Sequence, residues 1–144
     1  MDTKTFLSQA LWLDRLIQSK VEQQGRLKEL ALKVTTTYQD IQVQGGPQEN
    51  SRMEASLVDL MTLGEEINAD IDRLIEVKQE IRRAVKTVEN LSYQLVLEMR
   101  YLDGRSWDEV AEIMSYDKRT VHRIHGRAIR ELENKGATKC HTLS

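Results

Sequence analysis

A chain of 144 residues in which 31% are charged, 5% are aromatic and one is proline suits long helices and excludes a sheet-based core. The net charge of −2 argues against nucleic acid only until it is divided along the chain. Residues 1–114 carry 14 basic and 20 acidic side chains, a net of −6, whereas residues 115–144 carry 7 basic and 3 acidic, a net of +4. Local field, more than total charge, governs attraction to phosphate. Cys140 is the only cysteine, so no intrachain disulfide can form and a reducing compartment fits best. The N-terminus lacks a signal-peptide pattern, and no apolar run approaches the ~20 residues that span a membrane. The expectation is a cytoplasmic protein with no membrane partner.

From Phe6 to Ile41, positions spaced alternately by four and three form one stripe: Phe6, Ala10, Leu13, Ile17, Lys20, Gln24, Leu27, Ala31, Val34, Tyr38 and Ile41. Such a stripe needs a partner helix, and Leu7, Leu11, Leu16 and Leu30 widen it. Gly45-Gly46-Pro47 breaks the pattern, which places a loop at about residues 43–51. A second stripe follows through Met53, Leu57, Leu60, Gly64, Ile67, Ile71, Leu74, Lys78, Ile81, Val85 and Val88. Folding one stripe onto the other predicts a long antiparallel helical hairpin, a coiled coil, over residues 1–90. Leu27 then lies opposite Ile67, Leu13 opposite Ile81, Phe6 opposite Val88, and Ala31 opposite Gly64. Lys20, Gln24 and Lys78 interrupt the seams, where polar residues fix register or leave a place for another chain. At ~1.5 Å per residue each arm reaches on the order of 55 Å and projects as a handle.

Asn90-Leu91-Ser92 opens the next unit, residues 91–135, because Asn and Ser favour caps over helix interiors. A short helix over Ser92–Leu102 ends at the turn signal Asp103-Gly104. Ser106 with Glu109 three residues on reads as a capping box. It starts a helix whose buried side is Trp107, Val110, Ala111, Ile113 and Met114. After a turn at Ser115-Tyr116, Asp117 caps a last helix that runs to about Asn134 and stops at Gly136. Residues 136–144 read as a flexible tail.

Two short helices joined by a tight turn, the second basic on one side, describe a helix-turn-helix DNA-binding domain. On the last helix, Val121, Ile124, Ala128 and Leu132 share one side at ~100° per residue. The opposite side carries Lys118, Arg119, His122, Arg123, Arg127 and Arg130, with no acidic residue from 118 to 130. In this docking geometry the first residues of the helix reach base edges and later ones meet the backbone. Lys118, Arg119, His122 and Arg123 are therefore the candidate base-edge contacts. Arg127 and Arg130 are candidate phosphate contacts, joined by Arg105, Ser106 and Thr120, which offer hydroxyl and backbone N–H donors near helix starts. Trp107 and Tyr116 read as core anchors, and His125 as a helix-edge residue.

With these residues in place, Leu95–Leu132 resembles region 4 of bacterial sigma-70-type factors. The resemblance rests on Leu97-Glu98-Met99-Arg100-Tyr101-Leu102-Asp103-Gly104, on Trp107-Asp108-Glu109-Val110-Ala111, and on the pairs Thr120-Val121 and Arg127-Ala128. It implies that Asp117–Arg123 face a promoter element. The chain departs from the family at Ser115, where glycine is usual, and at Lys118-Arg119, where acidic or small residues are common, so the family's promoter consensus does not transfer. Nothing corresponds to region 2, hence no promoter melting is implied. The whole chain also looks like a group of small phage and prophage proteins of unknown function with sigma-like C-termini, for which ArpU- and RinA-type late-transcription regulators are the nearest functional comparison. The start LDRLIQSK, the segment GEEINADIDRLIEVKQEI and the junction RYLDGRSW carry that wider likeness.

The expected function is a sequence-specific DNA-binding transcription regulator, an activator of phage genes in a bacterial host cell. The expected partners are double-stranded DNA, RNA polymerase, and a second copy joined through the hairpin. A phage DNA-packaging recognition subunit and a helical protein-interaction adaptor are the competing classes. No glycine-rich phosphate loop or nucleophile motif appears, so no catalytic residue, cofactor or enzyme activity is assigned. His122, His125, Cys140 and His141 lack the spacing of a zinc site, so no metal is assigned either.

Overall fold

The computed structural model describes residues 2–40 and 47–136, and every regular element in them is helical. The elements are α1 (Thr3–Asp40), α2 (Pro47–Lys86), α3 (Leu91–Leu97), a π-helical turn (Glu98–Leu102), α4 (Trp107–Met114) and α5 (Lys118–Lys135). The Gly45-Gly46 break, the start of the predicted loop and the tail from residue 137 lie outside the described residues. The loop's predicted end does not hold, because α2 already begins at Pro47. Proline lacks only an N–H that the first helical position has no partner for, so it opens this helix instead of delaying it.

The chain packs as two units, Met1–Asp14 with Leu74–Ser144, and Arg15–Arg73. The core of the first draws Phe6, Leu7 and Ala10 from α1, and Val77, Ile81, Ala84, Val85 and Val88 from α2. Leu97, Tyr101, Leu102, Ala128 and Leu132 complete it. A smaller cluster of Met99, Val110, Ala111 and Val121 lies beneath Trp107 and Met114. The opening turns of α1 are thus part of the core under α5, and burying a side chain the size of Phe6 contributes roughly 1.5–3 kcal/mol.

Local chemistry sets the joints of this unit. Asn90 Oδ1 accepts from the backbone N–H of Ser92 at 2.9 Å and of Tyr93 at 3.3 Å, which starts α3. After Leu97 the helix widens, and Asp103 N donates to Glu98 O at 2.9 Å across five residues. Widening brings Met99, Tyr101 and Leu102 all into the interior, which the 3.6-residue period would not do. Arg100 Nη1 closes the turn on Arg105 O at 2.9 Å. Ser106 Oγ accepts from Glu109 N at 3.2 Å, while the Glu109 carboxylate sits 3.7 Å from Arg105. Asp117 Oδ1 accepts from Thr120 N at 2.8 Å and starts α5, and Gly136 at φ 69° ends it. Between α4 and α5, Ser115 takes the left-handed conformation at φ 59°.

In the unit Arg15–Arg73 the register differs from the predicted one. Lys20 Nζ lies 2.6 Å from Asp70 Oδ2 and 3.9 Å from Glu66 Oε2. A Cβ on Gly64 would sit 3.5 Å from Gln24 Nε2, so Gly64 faces Gln24 and not Ala31. The predicted register sets the half-buried Lys20 beside Leu74; the observed one gives its ammonium a carboxylate, which a partly desolvated charge requires. Of the predicted α2 stripe, Ile67, Ile81 and Val85 are buried, as is Val88 just beyond the helix, together with Leu63, Val77 and Ala84, while Leu57 is 50% and Ile71 38% exposed. Leu16, Leu30, Ile113 and Tyr116 are also exposed, contrary to their predicted place in the interior.

Phe6→Ala is expected to lower the unfolding free energy by about 3–5 kcal/mol, through lost transfer energy and a residual cavity. Urea titration followed by tryptophan fluorescence measures it; a loss below about 1 kcal/mol would detach the start of α1 from this core. Ser115→Gly is expected to raise stability by about 1 kcal/mol, since glycine holds the left-handed region without strain. An unchanged or lower urea midpoint would show that the serine side chain offsets its backbone strain.

Candidate nucleic-acid interface

α5 is amphipathic in the strict sense that its two sides have different chemistry. Val121, Ala128 and Leu132 are fully buried and Ile124 partly so. Lys118, Arg119, His122, Arg123, Arg127 and Arg130 are all exposed, as are Arg105 and Ser106, while Thr120 is half-buried. The Thr120 hydroxyl and, next, its backbone N–H donate to Asp117, and these contacts hold the Asp117 carboxyl below the ordinary carboxylate range, so the cap is ionised at neutral pH. A negative cap at the N-terminus complements the helix dipole and leaves the cations beyond it free of any acid in sequence.

Not all six cationic-face residues are equally available. Lys118 Nζ is 2.8 Å from Asp108 Oδ1, an exposed ion pair that ties the start of α5 to α4. Pairs of this kind contribute little to stability and exchange readily for another anion. Arg105 faces Glu109 in the same way. His122 packs against Trp107 with ring centroids 4.6 Å apart and planes tilted by 47°, which restricts where its imidazole points. Further along, His122, Arg123, Gly126, Arg127 and Arg130 line an open depression of about 400 Å³ on the outer side of the helix.

Behind this face lies an arrangement that periodicity alone does not reveal. His125 is buried, not at the helix edge, and its Nε2 is 2.6 Å from Tyr101 Oη. Trp107 has the guanidinium of Arg100 4.7 Å from its ring centroid and the imidazole centroids of His122 and His125 at 4.6 Å and 4.8 Å. Burial lowers the His125 pKa to about 4, with Lys4, His122 and Arg100 adding repulsion. Burial also raises Tyr101 to about 12. Both groups are neutral near pH 7, and one proton between them satisfies both buried polar atoms. The spacing Val121, His125, Ala128, Leu132 carries the signal for a buried histidine; the residue type points the other way. Cys140 and His141, weighed above with these histidines as zinc ligands, lie outside the described residues.

Among the described residues no helix is long and apolar enough to cross a membrane. A family model described as "Protein of unknown function (DUF1492)" matches residues 32–133, more than two thirds of the chain. No curated protein and no solved structure matches the chain.

Because His125 has its pKa lowered from 6.5 to about 4 in the folded state, the unfolded chain binds the extra proton first on acidification. The stability associated with the neutral imidazole is therefore complete above pH 6.5 and is lost as the pH falls toward about 4. Urea midpoints of the native chain and of His125→Gln, measured across that window, are expected to converge as the pH drops. Parallel curves would mean that His125 titrates alike in both states.

Proposed function

This chain belongs to that family, and we propose that it is a sequence-specific regulator of transcription that reads double-stranded DNA with α5. One observation carries the proposal: a buried apolar edge pins α5 down while Lys118, Arg119, His122, Arg123, Arg127 and Arg130 stay exposed on its other side. A helix so presented fits the major groove, whose width of about 12 Å admits one helix. α4 and α5 form the helix-turn-helix in this reading, with the turn at Ser115-Tyr116. Arg119 and Arg123, followed by His122 in the orientation Trp107 imposes, meet base edges. Lys118 exchanges Asp108 for a phosphate or a base. Arg127 and Arg130 hold the backbone, and Arg105, Ser106 and Thr120 approach the neighbouring phosphates at the start of α4 and α5.

The resemblance to sigma region 4 supports promoter DNA over other duplexes, and the likeness to phage and prophage proteins supports gene activation in the cytoplasm of a bacterial host. In the same reading α1 and α2 form an antiparallel hairpin that offers a surface to RNA polymerase or to a second copy.

The test is fluorescence anisotropy with duplexes selected from a random pool. Arg119→Ala and Arg123→Ala are each expected to weaken the selected duplex by about 1–3 kcal/mol and to relax preference at one position. Arg127→Ala and Arg130→Ala are expected to weaken all duplexes alike and to reduce the salt slope by about one each. A chain that enriches no sequence from the pool, or whose four variants behave as wild type, would sink the proposal.

A further inference from the structure

Gly126 occupies a position in α5 that folding alone does not assign to glycine. It lies well inside the helix, it is exposed, and a Cβ added there would meet no atom within 4 Å. Its φ is not positive, so the backbone does not require glycine. An exposed glycine inside a helix is less favourable than alanine, because it loses more conformational freedom on folding. Among the described residues no contact at this position offsets that loss, so glycine gains a use there only from a close approach by another molecule.

What surrounds Gly126 is chemically uniform. His122, Arg123, Arg127 and Arg130 line the same open depression as Gly126. Positions 122 and 130 lie one turn to either side of it, and 123 three residues back, so these side chains stand on the same side of the helix. A depression of about 400 Å³ walled by guanidinium and imidazole groups has room for a sugar-phosphate unit. The absent Cβ lets a ligand come nearer the helix backbone by roughly the length of one C–C bond, ~1.5 Å.

We propose that Gly126 is the contact point at which the sugar-phosphate backbone of the duplex rides against α5, a positioning residue that sets how deeply the helix sits in the groove. The inference rests on the DNA-reading function proposed above and deepens it. Arg123 lies on the base side of this point, and Arg127 and Arg130 flank the strand. Any side chain at 126 holds the helix away from the groove, which lengthens the reach of Arg119 and Arg123 to the bases.

This produces opposite signs for two measurements on one variant. Gly126→Ala is expected to raise Tm by about 2–5 °C, as replacing an exposed helical glycine should. The same variant is expected to bind a selected duplex at least about fivefold more weakly, and Gly126→Leu more weakly still, since overpacking a close contact is unfavourable and grows with size. Gly25→Ala is the control, because Gly25 is likewise exposed inside a helix with nothing within 4 Å but lies far along α1 in sequence. It is expected to raise Tm while leaving anisotropy unchanged. A wild-type chain that binds duplex while Gly126→Ala binds as tightly overturns this inference and leaves the DNA-reading function standing. A wild-type chain that binds no duplex removes both.

Discussion

The burial of one edge of α5 is the constraint on which the rest of this molecule depends. Val121, Ala128 and Leu132 are each wholly inaccessible, and they meet side chains from α1, α2, α3, the π turn and α4. With that edge fixed, the helix cannot roll, and the arginines opposite it are committed to solvent. An amphipathic helix on a less complete core would present the same charges in many orientations, which gives attraction to polyanions without a defined geometry. The participation of Phe6, Leu7 and Ala10 means that the rigidity of α5 depends on the far end of the sequence.

The second determinant is how polar groups are satisfied where this edge meets the interior. A histidine among Val121, Ala128 and Leu132 would cost a buried, unpaired nitrogen if it stood alone. Tyr101 supplies the partner at 2.6 Å, and it can do so because the π turn brings it inward. Edge-on and tilted ring contacts extend the arrangement outward, from His125 through Trp107 to His122, with Arg100 over the indole. A single contiguous set of rings therefore runs from the core to the exposed face. Such a chain couples the placement of His122 to packing and not only to its own rotamer preference.

What was legible in the sequence follows the range of the interaction. Asn90, Ser106 and Asp117 cap helices where their local patterns placed them, because a cap is a contact with residues two or three positions away. The stripe of α1 was legible from Phe6 to Ala31, with Phe6, Ala10 and Ile17 buried and Leu13, Lys20, Gln24, Leu27 and Ala31 partly so. Along α2 the buried Ile67, Ile81 and Val85 were legible from periodicity, but the partner of Lys20 was not, since apolar periodicity takes no account of an ion pair with Asp70, 50 residues away in sequence. His125 was misplaced for the same reason, with a partner 24 residues distant. The π turn had no sequence signature at all, and three of its five residues, Met99, Tyr101 and Leu102, are buried. At the candidate interface the exposed basic residues were all identified, while Gly126 was passed over because glycine carries no chemistry of its own.

Two positions, one in the turn between α4 and α5 and one inside α5, hold residues that folding would not choose. Ser115 takes a left-handed conformation that glycine would adopt freely, and Gly126 occupies a helical position that alanine would fill better. The structure offers no account of the serine. The glycine differs, because it lines a depression together with His122 and three arginines. Local rules and global packing agree over most of a folded chain, and the exceptions concentrate where a surface must fit something other than itself. Charge alone could have been provided by any set of lysines and arginines on α5. A bare stretch of backbone among them adds shape to the charge, and shape is what separates recognition of a particular polyanion from attraction to all of them.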